Sequence, residues 1–200
     1  MQNKLFLFIM FCFLISCKRA NFENISEINN YLNNEENGLY KSIKHDGLIF
    51  SLKYIPPKHF ALINKTISND STVKSDSLIK LYSNQTSFIF TFSLEDNSKD
   101  VMYEGISNQE EYNRRLSFMN FNLPDSFTLK VGDKETKPLL CNFENTYSLT
   151  NSRKVNLIFS PFDKNDLNKT IEIFYHDDVF LTGTSLFKFD GNDISKVNLL

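Results

Sequence analysis

Three histidines and a scatter of carboxylates are the residues of this chain that could do acid–base or metal chemistry. His176 is followed directly by Asp177 and Asp178, so an imidazole and two carboxylates, all common metal ligands, stand together after a predicted strand. Adjacent residues of an extended chain point to opposite faces, so the three side chains cannot all converge on one ion. The triplet is a metal candidate, but a solvated turn is the interpretation that the pattern favours.

No catalytic set can be assembled from the spacing of the other polar residues. The sequence contains no phosphate-binding glycine loop, no paired-cysteine metal motif, no H-E-x-x-H helix and no G-x-S-x-G nucleophile elbow. Glu110 with Arg114, and Glu111 with Arg115, are spaced as ion pairs on a predicted helix, where each pair contributes roughly 0.2–0.5 kcal/mol. Surface support of that helix is favoured over a catalytic carboxylate, so we predict no catalytic residue and no cofactor.

The net charge does not indicate a basic surface of the kind that binds nucleic acid. The chain has 22 Lys and Arg against 24 Asp and Glu, a net charge of −2 at pH 7. Of its three cysteines, Cys141 lies in the apolar stretch PLLCNF, where an inert thiol is predicted. The other two, Cys12 and Cys17, belong to an apolar run at the start of the chain.

That run, KLFLFIMFCFLISC at residues 4–17, predicts export from the cytoplasm. After the single positive charge of Lys4, the stretch from Leu5 to Ile15 has no polar side chain except the thiol of Cys12. As a helix this stretch would span roughly 16 Å, whereas the core of a bilayer is about 30 Å thick and takes about twenty residues to cross. A positive charge followed by an apolar run of this length is typical of a secretory signal peptide.

The end of the run, Leu14-Ile15-Ser16-Cys17, resembles the lipobox of bacterial lipoproteins, with an apolar residue three before the cysteine and a small residue directly before it. The resemblance implies that residues 1–16 are a signal peptide, that the cut falls between Ser16 and Cys17, and that Cys17 is lipidated. Acyl chains on Cys17 would hold the protein on a membrane, each buried methylene contributing about 0.8 kcal/mol. The alternative is an ordinary signal peptide cut elsewhere, but no A-x-A-like site is present.

Two further stretches bear on location. LKYIPPKHFALIN, residues 52–64, resembles uncharacterised lipoproteins of the Bacteroidota, in which a strand runs into a Pro-containing bend before a helix; it implies no activity. Surface-exported lipoproteins of that phylum carry acidic residues after the lipidated cysteine, whereas Lys18 and Arg19 follow Cys17 here. We therefore expect a cell-envelope protein, anchored in the outer membrane and facing the periplasm.

Two tripeptides resemble the O-glycosylation acceptor of the same phylum, in which Asp precedes Ser or Thr and then a small or apolar residue. They are Asp70-Ser71-Thr72 and Asp76-Ser77-Leu78, both in a polar stretch that we predict to be exposed. The resemblance implies that Ser71 and Ser77 are candidate modification sites.

The first half of the body combines helices with a hairpin. Residues 17–37 are predicted to be a tether with a short helix, capped by Asn21 or Asn24 and stopped at Gly38. Asp46-Gly47 between two β-rich runs is a strong hairpin signal, and Pro56-Pro57 ends the second strand. The pattern also predicts a helix near 74–83, a strand over 86–95, and a helix opened by a Ser107–Glu110 capping box with Tyr112, Leu116 and Met119 on its apolar face.

After Leu123-Pro124, short β runs predominate. They cover residues 127–131, 137–143, 155–160, 170–175 and 185–189, separated by polar turns, and predict an antiparallel sheet or a small β-sandwich. Because helices come first and strands predominate later, the predicted class is α+β. Residues 38–200 are expected to form a single domain with a potential sub-boundary near residue 123.

Two functions remain open at this point. The first is a membrane-anchored, non-enzymatic binding or assembly module, whose edge strands could pair with a protein partner. The second is an envelope hydrolase whose groups meet only in the fold, with His176, Asp177, His59 and Glu110 as the residues to inspect. We favour the first because no catalytic set is evident, and we expect His59 to lie in a loop rather than a pocket.

Overall fold

The computed structural model describes residues 22–68, 75–146 and 149–198, and it confirms the α+β class. The predicted signal peptide, Cys17 and Ser71 lie outside the described residues. Within these three ranges, no helix combines the length and the apolarity that a bilayer crossing requires.

Five helices and nine strands make up the described part of the chain. The helices are α1 (Ile25–Asn33), α2 (Pro57–Ser68), α3 (Ser75–Tyr82), α4 (Gln109–Phe121) and α5 (Gly191–Asn198). The strands are β1 (Tyr40–His45), β2 (Leu48–Ile55), β3 (Thr86–Leu94), β4 (Phe127–Val131), β5 (Lys134–Thr136), β6 (Leu140–Phe143), β7 (Arg153–Phe159), β8 (Thr170–Asp177) and β9 (Gly183–Asp190).

The strands form two antiparallel sheets that pack face to face. The first sheet has the order β1-β2-β3-β7-β6 and the second the order β5-β4-β8-β9, so strands from both sides of residue 123 share the first sheet. Aromatic rings fill the space between the sheets: the ring centroids of Phe90 and Tyr175 are 4.6 Å apart, and those of Phe88 and Phe189 are 5.3 Å apart. Such close pairs bury large apolar areas, and they make this body a β-sandwich.

The predicted hairpin is confirmed. Asp46 and Gly47 both have positive φ, 44° and 84°, which is the geometry of a two-residue turn that matches the twist of the flanking strands. The turn pairs His45 with Leu48, and this register places alternate residues of β2 on the core face. Leu48, Phe50, Leu52 and Tyr54 are all buried.

Helix α5 was not predicted, and α2 was implied only by the resemblance of residues 52–64 to lipoproteins in which a helix follows a Pro-containing bend. From the residues themselves, the two prolines were interpreted as the end of a strand, yet Pro57 is the first residue of α2, a position where the missing N–H costs nothing. His59 therefore lies in a helix, and the prediction of a loop is wrong. Helix α5 is only eight residues long, too short for periodicity to show, although Ile194 and Val197 are buried at helical spacing.

The helix caps follow the predicted chemistry with one shift of position. Asn24 caps α1 and accepts a hydrogen bond from the Glu27 amide, as predicted. The predicted Ser107–Glu110 box is wrong by one residue: Asn108 caps α4 and accepts from the Glu111 amide, while Glu111 Oε2 accepts from the Ser107 amide. The carboxylate that was assigned to an ion pair with Arg115 is thus used in the cap.

One predicted strand is shorter than expected, and one short strand was missed. The run at 137–143 forms a strand only over Leu140–Phe143, with the Leu139 amide also donating to the Ile158 carbonyl. The ammonium of Lys137 donates instead to the Asp125 carbonyl. Strand β5 was missed because all three of its residues are polar and exposed, so it has no apolar alternation to detect.

Helix α1 belongs to the core. Phe22, Ile28 and Leu32 are buried, so the described part of the predicted tether packs onto the body rather than extending from it. Helices α1, α2 and α5 lie where β2 ends: Lys53 donates to Asn33, Asn29 contacts His59, and Tyr54 donates to Asn198. The loop that connects β8 to β9 lies near the start of β2, where Phe180 packs against Phe50.

A buried ion pair joins the segment after β3 to strand β7. The Arg153 side chain has no exposed surface, and its guanidinium is hydrogen-bonded to the carboxylate of Asp100. Asp100 also accepts a hydrogen bond from the Met102 amide, which caps the short 3-10 helix at Val101–Tyr103. Arg153 donates in addition to the Thr150 carbonyl. Burying an ion without partners is costly, and these hydrogen bonds offset most of that cost for the pair.

We expect Asp100→Asn to lower the free energy of unfolding by about 3–5 kcal/mol, because it leaves the Arg153 charge buried without its counter-ion. Urea denaturation followed by circular dichroism measures the change. The control is Lys44→Ala, which breaks the exposed pair of Lys44 with Glu95 and should cost about 1 kcal/mol or less. Equal effects of the two substitutions would contradict this account of the ion pair.

Candidate functional site

A cleft lies between helix α4 and the β8–β9 loop. It has a volume of about 590 Å³. Its walls combine charged groups (Glu111, Arg114, Arg115 and Asp178) with apolar ones (Ile106, Phe118, Val179 and Leu181). A cleft that joins apolar walls with a few convergent charges is the usual form of a binding site, so we take it as the candidate functional site.

Asp177 determines the shape of the loop on one side of this cleft. Its side chain is only 2% exposed. Oδ1 accepts hydrogen bonds from the amides of Val179 and Phe180, both at 3.0 Å, and from the Tyr175 hydroxyl at 3.0 Å. Oδ2 accepts from the Thr182 amide at 3.1 Å and from the Thr182 hydroxyl at 2.6 Å. Five donors on one carboxylate fix the loop backbone, since hydrogen bonds to an ionised group are the strong ones.

The same network acts on Tyr175. Burial raises the pKa of the Tyr175 phenol well above its ordinary value, and the adjacent charge of Asp177 raises it further. The hydroxyl therefore stays protonated and keeps donating to Asp177 throughout the physiological pH range.

Leu181, at the tip of this loop, is held in an unusual conformation. Its φ is +60°, and the side chain is 82% exposed beside the cleft. Among the described residues, two other non-glycine residues have positive φ, and they are Asp46 and Asn97, whose side chains tolerate that region. For leucine the left-handed conformation costs about 1–2 kcal/mol. Because the fold maintains both this cost and an exposed apolar side chain, Leu181 is a candidate contact residue.

Arg115 forms the opposite wall. Its Nη1 donates to the carbonyl oxygens of Met102, at 2.9 Å, and of Glu104, at 2.7 Å. The guanidinium carbon lies 4.7 Å from the centre of the Phe180 ring, a cation–π contact between the two walls. The guanidinium is therefore fixed in position and orientation.

The electrostatic environment of Arg115 reflects its partial burial. Desolvation lowers the pKa of the Arg115 guanidinium, and the carboxylate of Asp177 opposes that effect. An arginine stays protonated at neutral pH despite such a shift, so the cleft contains a partly desolvated permanent cation.

In the His176-Asp177-Asp178 triplet, His176 and Asp178 lie close together at the surface, and Asp177 is buried apart from them. His176 is exposed, with Nδ1 3.1 Å from the Thr184 hydroxyl and Nε2 3.4 Å from an oxygen of Asp178. Asp177 is buried with both oxygens engaged in the loop, and Asp178 lines the cleft. Within 22–68, 75–146 and 149–198, no three His, Cys, Asp or Glu side chains are grouped so that they could hold a metal ion.

The other residues that the sequence singled out for a catalytic role do not line the cleft. His59 on α2 has Nε2 2.9 Å from the Asn29 side chain, and burial together with the charge of Lys53 lowers its imidazole pKa. Glu110 pairs with Arg114 at 3.6 Å on the surface of α4, as predicted. Neither these two residues nor His176 and Asp177 line the cleft.

Ser77 and Cys141 complete the candidates in the described residues. Ser77 is exposed on helix α3, where a modifying enzyme could reach it. Cys141 is partly buried on β6, and desolvation raises its thiol pKa to about 12, so the nucleophilic thiolate is scarce at neutral pH.

Sequence reasoning missed Arg115 and Leu181 as site residues, and it missed the role of Asp177. A signal for Asp177 was present, because Asp at the end of a strand commonly accepts hydrogen bonds from backbone amides two or three residues later. The role of Arg115 had no such signal, since its acceptors are backbone carbonyls of a distant loop.

We expect Asp177→Asn to speed amide hydrogen exchange of Val179, Phe180 and Thr182 by at least tenfold, because a hydrogen bond to a charged acceptor contributes roughly 1.5–3 kcal/mol. Exchange followed by NMR measures the three amides directly. Asp178→Asn, the matched control, should leave their exchange unchanged within about twofold, since no loop amide donates to that side chain. Unaltered exchange in Asp177→Asn would show that the loop is fixed by other contacts.

The chain was also compared with known proteins. No protein-family model matches it, and no curated protein matches it. Among solved structures, the chain is similar to a novel protein of unknown function from Burkholderia pseudomallei, known from a crystal structure. The two are 12% identical with a TM-score of 0.40, and the alignment covers 90% of this chain and 95% of that one.

Proposed function

We propose that this protein is a lipid-anchored lipoprotein of a bacterial cell envelope, and that it acts as a non-enzymatic binding module. Its partner binds at the cleft between α4 and the β8–β9 loop. The observation that carries the proposal is the loop itself: a buried carboxylate with five hydrogen-bond donors holds an exposed leucine in a strained conformation next to a fixed arginine. Such preorganisation lowers the entropy lost when a partner binds.

Support for the anchor comes from the start of the chain. The apolar run after Lys4 and the lipobox-like Leu14-Ile15-Ser16-Cys17 imply lipidation at Cys17. Two or three acyl chains retain a protein on a membrane far better than one does. The basic Lys18 and Arg19 favour an outer-membrane anchor that faces the periplasm, as in lipoproteins that are not exported to the surface of Bacteroidota.

Support for the binding surface comes from the chemistry of the cleft. Leu181 offers an apolar contact that no described residue covers, and Arg115 offers a directed cation 4.7 Å from the Phe180 ring. Arginine is enriched among the residues that carry most of the binding energy at protein interfaces, and exposed loops on a rigid scaffold commonly carry recognition. A protein partner in the envelope therefore fits this surface.

We expect the native protein to be heavier than polypeptide 17–200 by the mass of a diacylglyceryl group and an additional acyl chain. Intact mass spectrometry of protein from its own membranes measures this, and also reports any glycan on Ser71 or Ser77. Cys17→Ala should abolish both the added lipid and membrane retention, whereas Cys12→Ser, in the same apolar run, should leave both intact. An unmodified Cys17, or native protein in the cytosolic fraction, would overturn the anchor.

We expect Leu181→Asp to reduce by at least tenfold the partner protein that copurifies from gently solubilised membranes, because burying a leucine contributes about 1.5–3 kcal/mol. The matched control is Leu149→Asp, at another leucine that is 86% exposed, which should change recovery less than twofold. Quantitative mass spectrometry of crosslinked complexes gives the ratio. A protein that always migrates alone, or equal losses in the two variants, would refute binding at the cleft.

A further inference from the structure

Arg115 is a partly buried cation without an ion pair inside the described chain. Among the described residues, no Asp or Glu oxygen lies within 4.0 Å of its guanidinium nitrogens, although Glu110 does pair with the neighbouring Arg114. Glu111, one helical turn away, is engaged with Ser107 and Asn108 in the helix cap. The charges of Asp177, Glu104 and Glu111 act on Arg115 from a distance and offset part of its desolvation, but none of them contacts the guanidinium. A partly buried cation with no carboxylate in contact is a favourable place for an anion to bind.

The geometry of the guanidinium defines where that anion binds. Both hydrogens of Nη1 are directed to the carbonyls of Met102 and Glu104. The remaining three N–H groups, one on Nε and two on Nη2, donate to no residue of the described segments. Together they form the edge that binds a carboxylate with two parallel hydrogen bonds. The two carbonyl hydrogen bonds and the contact with the Phe180 ring, 4.7 Å from the guanidinium carbon, hold this edge in place.

The rest of the cleft selects the kind of anion. Three other charged side chains line the same space: Arg114, Glu111 and Asp178. Because Arg114 is paired with Glu110, the charges of Glu111 and Asp178 would repel a doubly charged phosphate more strongly than a singly charged carboxylate. Ile106, Phe118, Val179 and Leu181 form apolar walls beside the arginine. These walls would bury an aliphatic group attached close to the carboxylate.

We propose that Arg115 binds a carboxylate that is carried next to a branched aliphatic group. This inference rests on the proposed function, because it names the chemical group that the binding cleft recognises. The carboxylate comes either from a polypeptide, as a carboxyl terminus after an aliphatic residue, or from a free short-chain acid. Both sources share the same chemistry at Arg115.

Isovalerate and isovaleramide test this chemistry, since they have the same shape and differ in charge. The full lipidated protein, ¹³C-labelled at methyl groups and inserted in nanodiscs, is titrated with each compound while the methyl signals of Ile106, Val179 and Leu181 are followed. We expect isovalerate to bind with a Kd at least tenfold lower than that of isovaleramide. We also expect inorganic phosphate to compete with isovalerate at least tenfold less effectively than acetate does.

Arg115→Lys should reduce the preference for isovalerate to threefold or less, because an ammonium cannot form the bidentate pair. Lys154→Gln, which removes an exposed charge on β7 away from the cleft, should leave the preference unchanged. Methyl signals of the buried Ile171 and Ile173 report whether each variant is folded. If Arg115→Lys does not fold, the comparison of the two compounds on the wild-type protein decides the matter alone.

The two sources are separated with a peptide that ends in Ala-Leu and carries a free carboxyl terminus. Tighter binding of this peptide than of isovalerate, lost when its terminus is amidated, assigns the carboxylate to a polypeptide; tighter binding of isovalerate assigns it to a free acid. Equal binding of isovalerate and isovaleramide, or binding of neither, overturns the inference. That result leaves the proposed function standing if partner capture still depends on Leu181.

Discussion

The buried pair of Asp100 and Arg153 is the constraint on which the cleft depends. It joins the segment after β3 to strand β7, and the same carboxylate caps the 3-10 helix at Val101–Tyr103. That short helix presents the Met102 carbonyl to Arg115, and the Glu104 carbonyl follows directly after it. One buried charge pair therefore positions the acceptors that orient a second charge. Hydrogen bonds link the two arginines in one continuous network, although only Arg115 reaches the surface.

The aromatic core supplies the second wall of the cleft. Phe180 packs against Phe50 and Phe92 of the first sheet, with ring centroids 6.3 and 5.9 Å away, so the base of the β8–β9 loop is part of the sandwich. Asp177 then fixes the loop above that base. A close-packed interior resists small displacements, and this resistance extends to the cleft because its two walls meet where Arg115 contacts Phe180.

Local signals in the sequence predicted the elements whose side chains alternate clearly. The Asp46-Gly47 turn and strand β2 follow from positive-φ chemistry and a period of two. Helix α2 did not follow from such signals, because Pro56-Pro57 reads as the end of a strand although Pro57 is also the first residue of the helix. The cleft was not predicted for a different reason. Arg115 donates to carbonyls 11 and 13 residues away. Phe180 comes into contact with Arg115 only because the two sheets pack together. Such contacts depend on tertiary structure, which spacing along one chain does not encode.

The burial of Phe22 has a consequence for any interaction at the cleft. Five residue steps separate Phe22 from Cys17, so a lipid on Cys17 would keep Phe22, which precedes α1, within about 18 Å of chain length from the bilayer. Helix α1 contacts β2 at Lys53, whereas Phe180 contacts it at Phe50, about 10 Å away along the strand. This separation exceeds the Debye length of about 8 Å at physiological ionic strength. With the strands upright on the membrane, Arg115 would be screened from charged lipid headgroups, and its affinity for an anion would not vary with lipid composition.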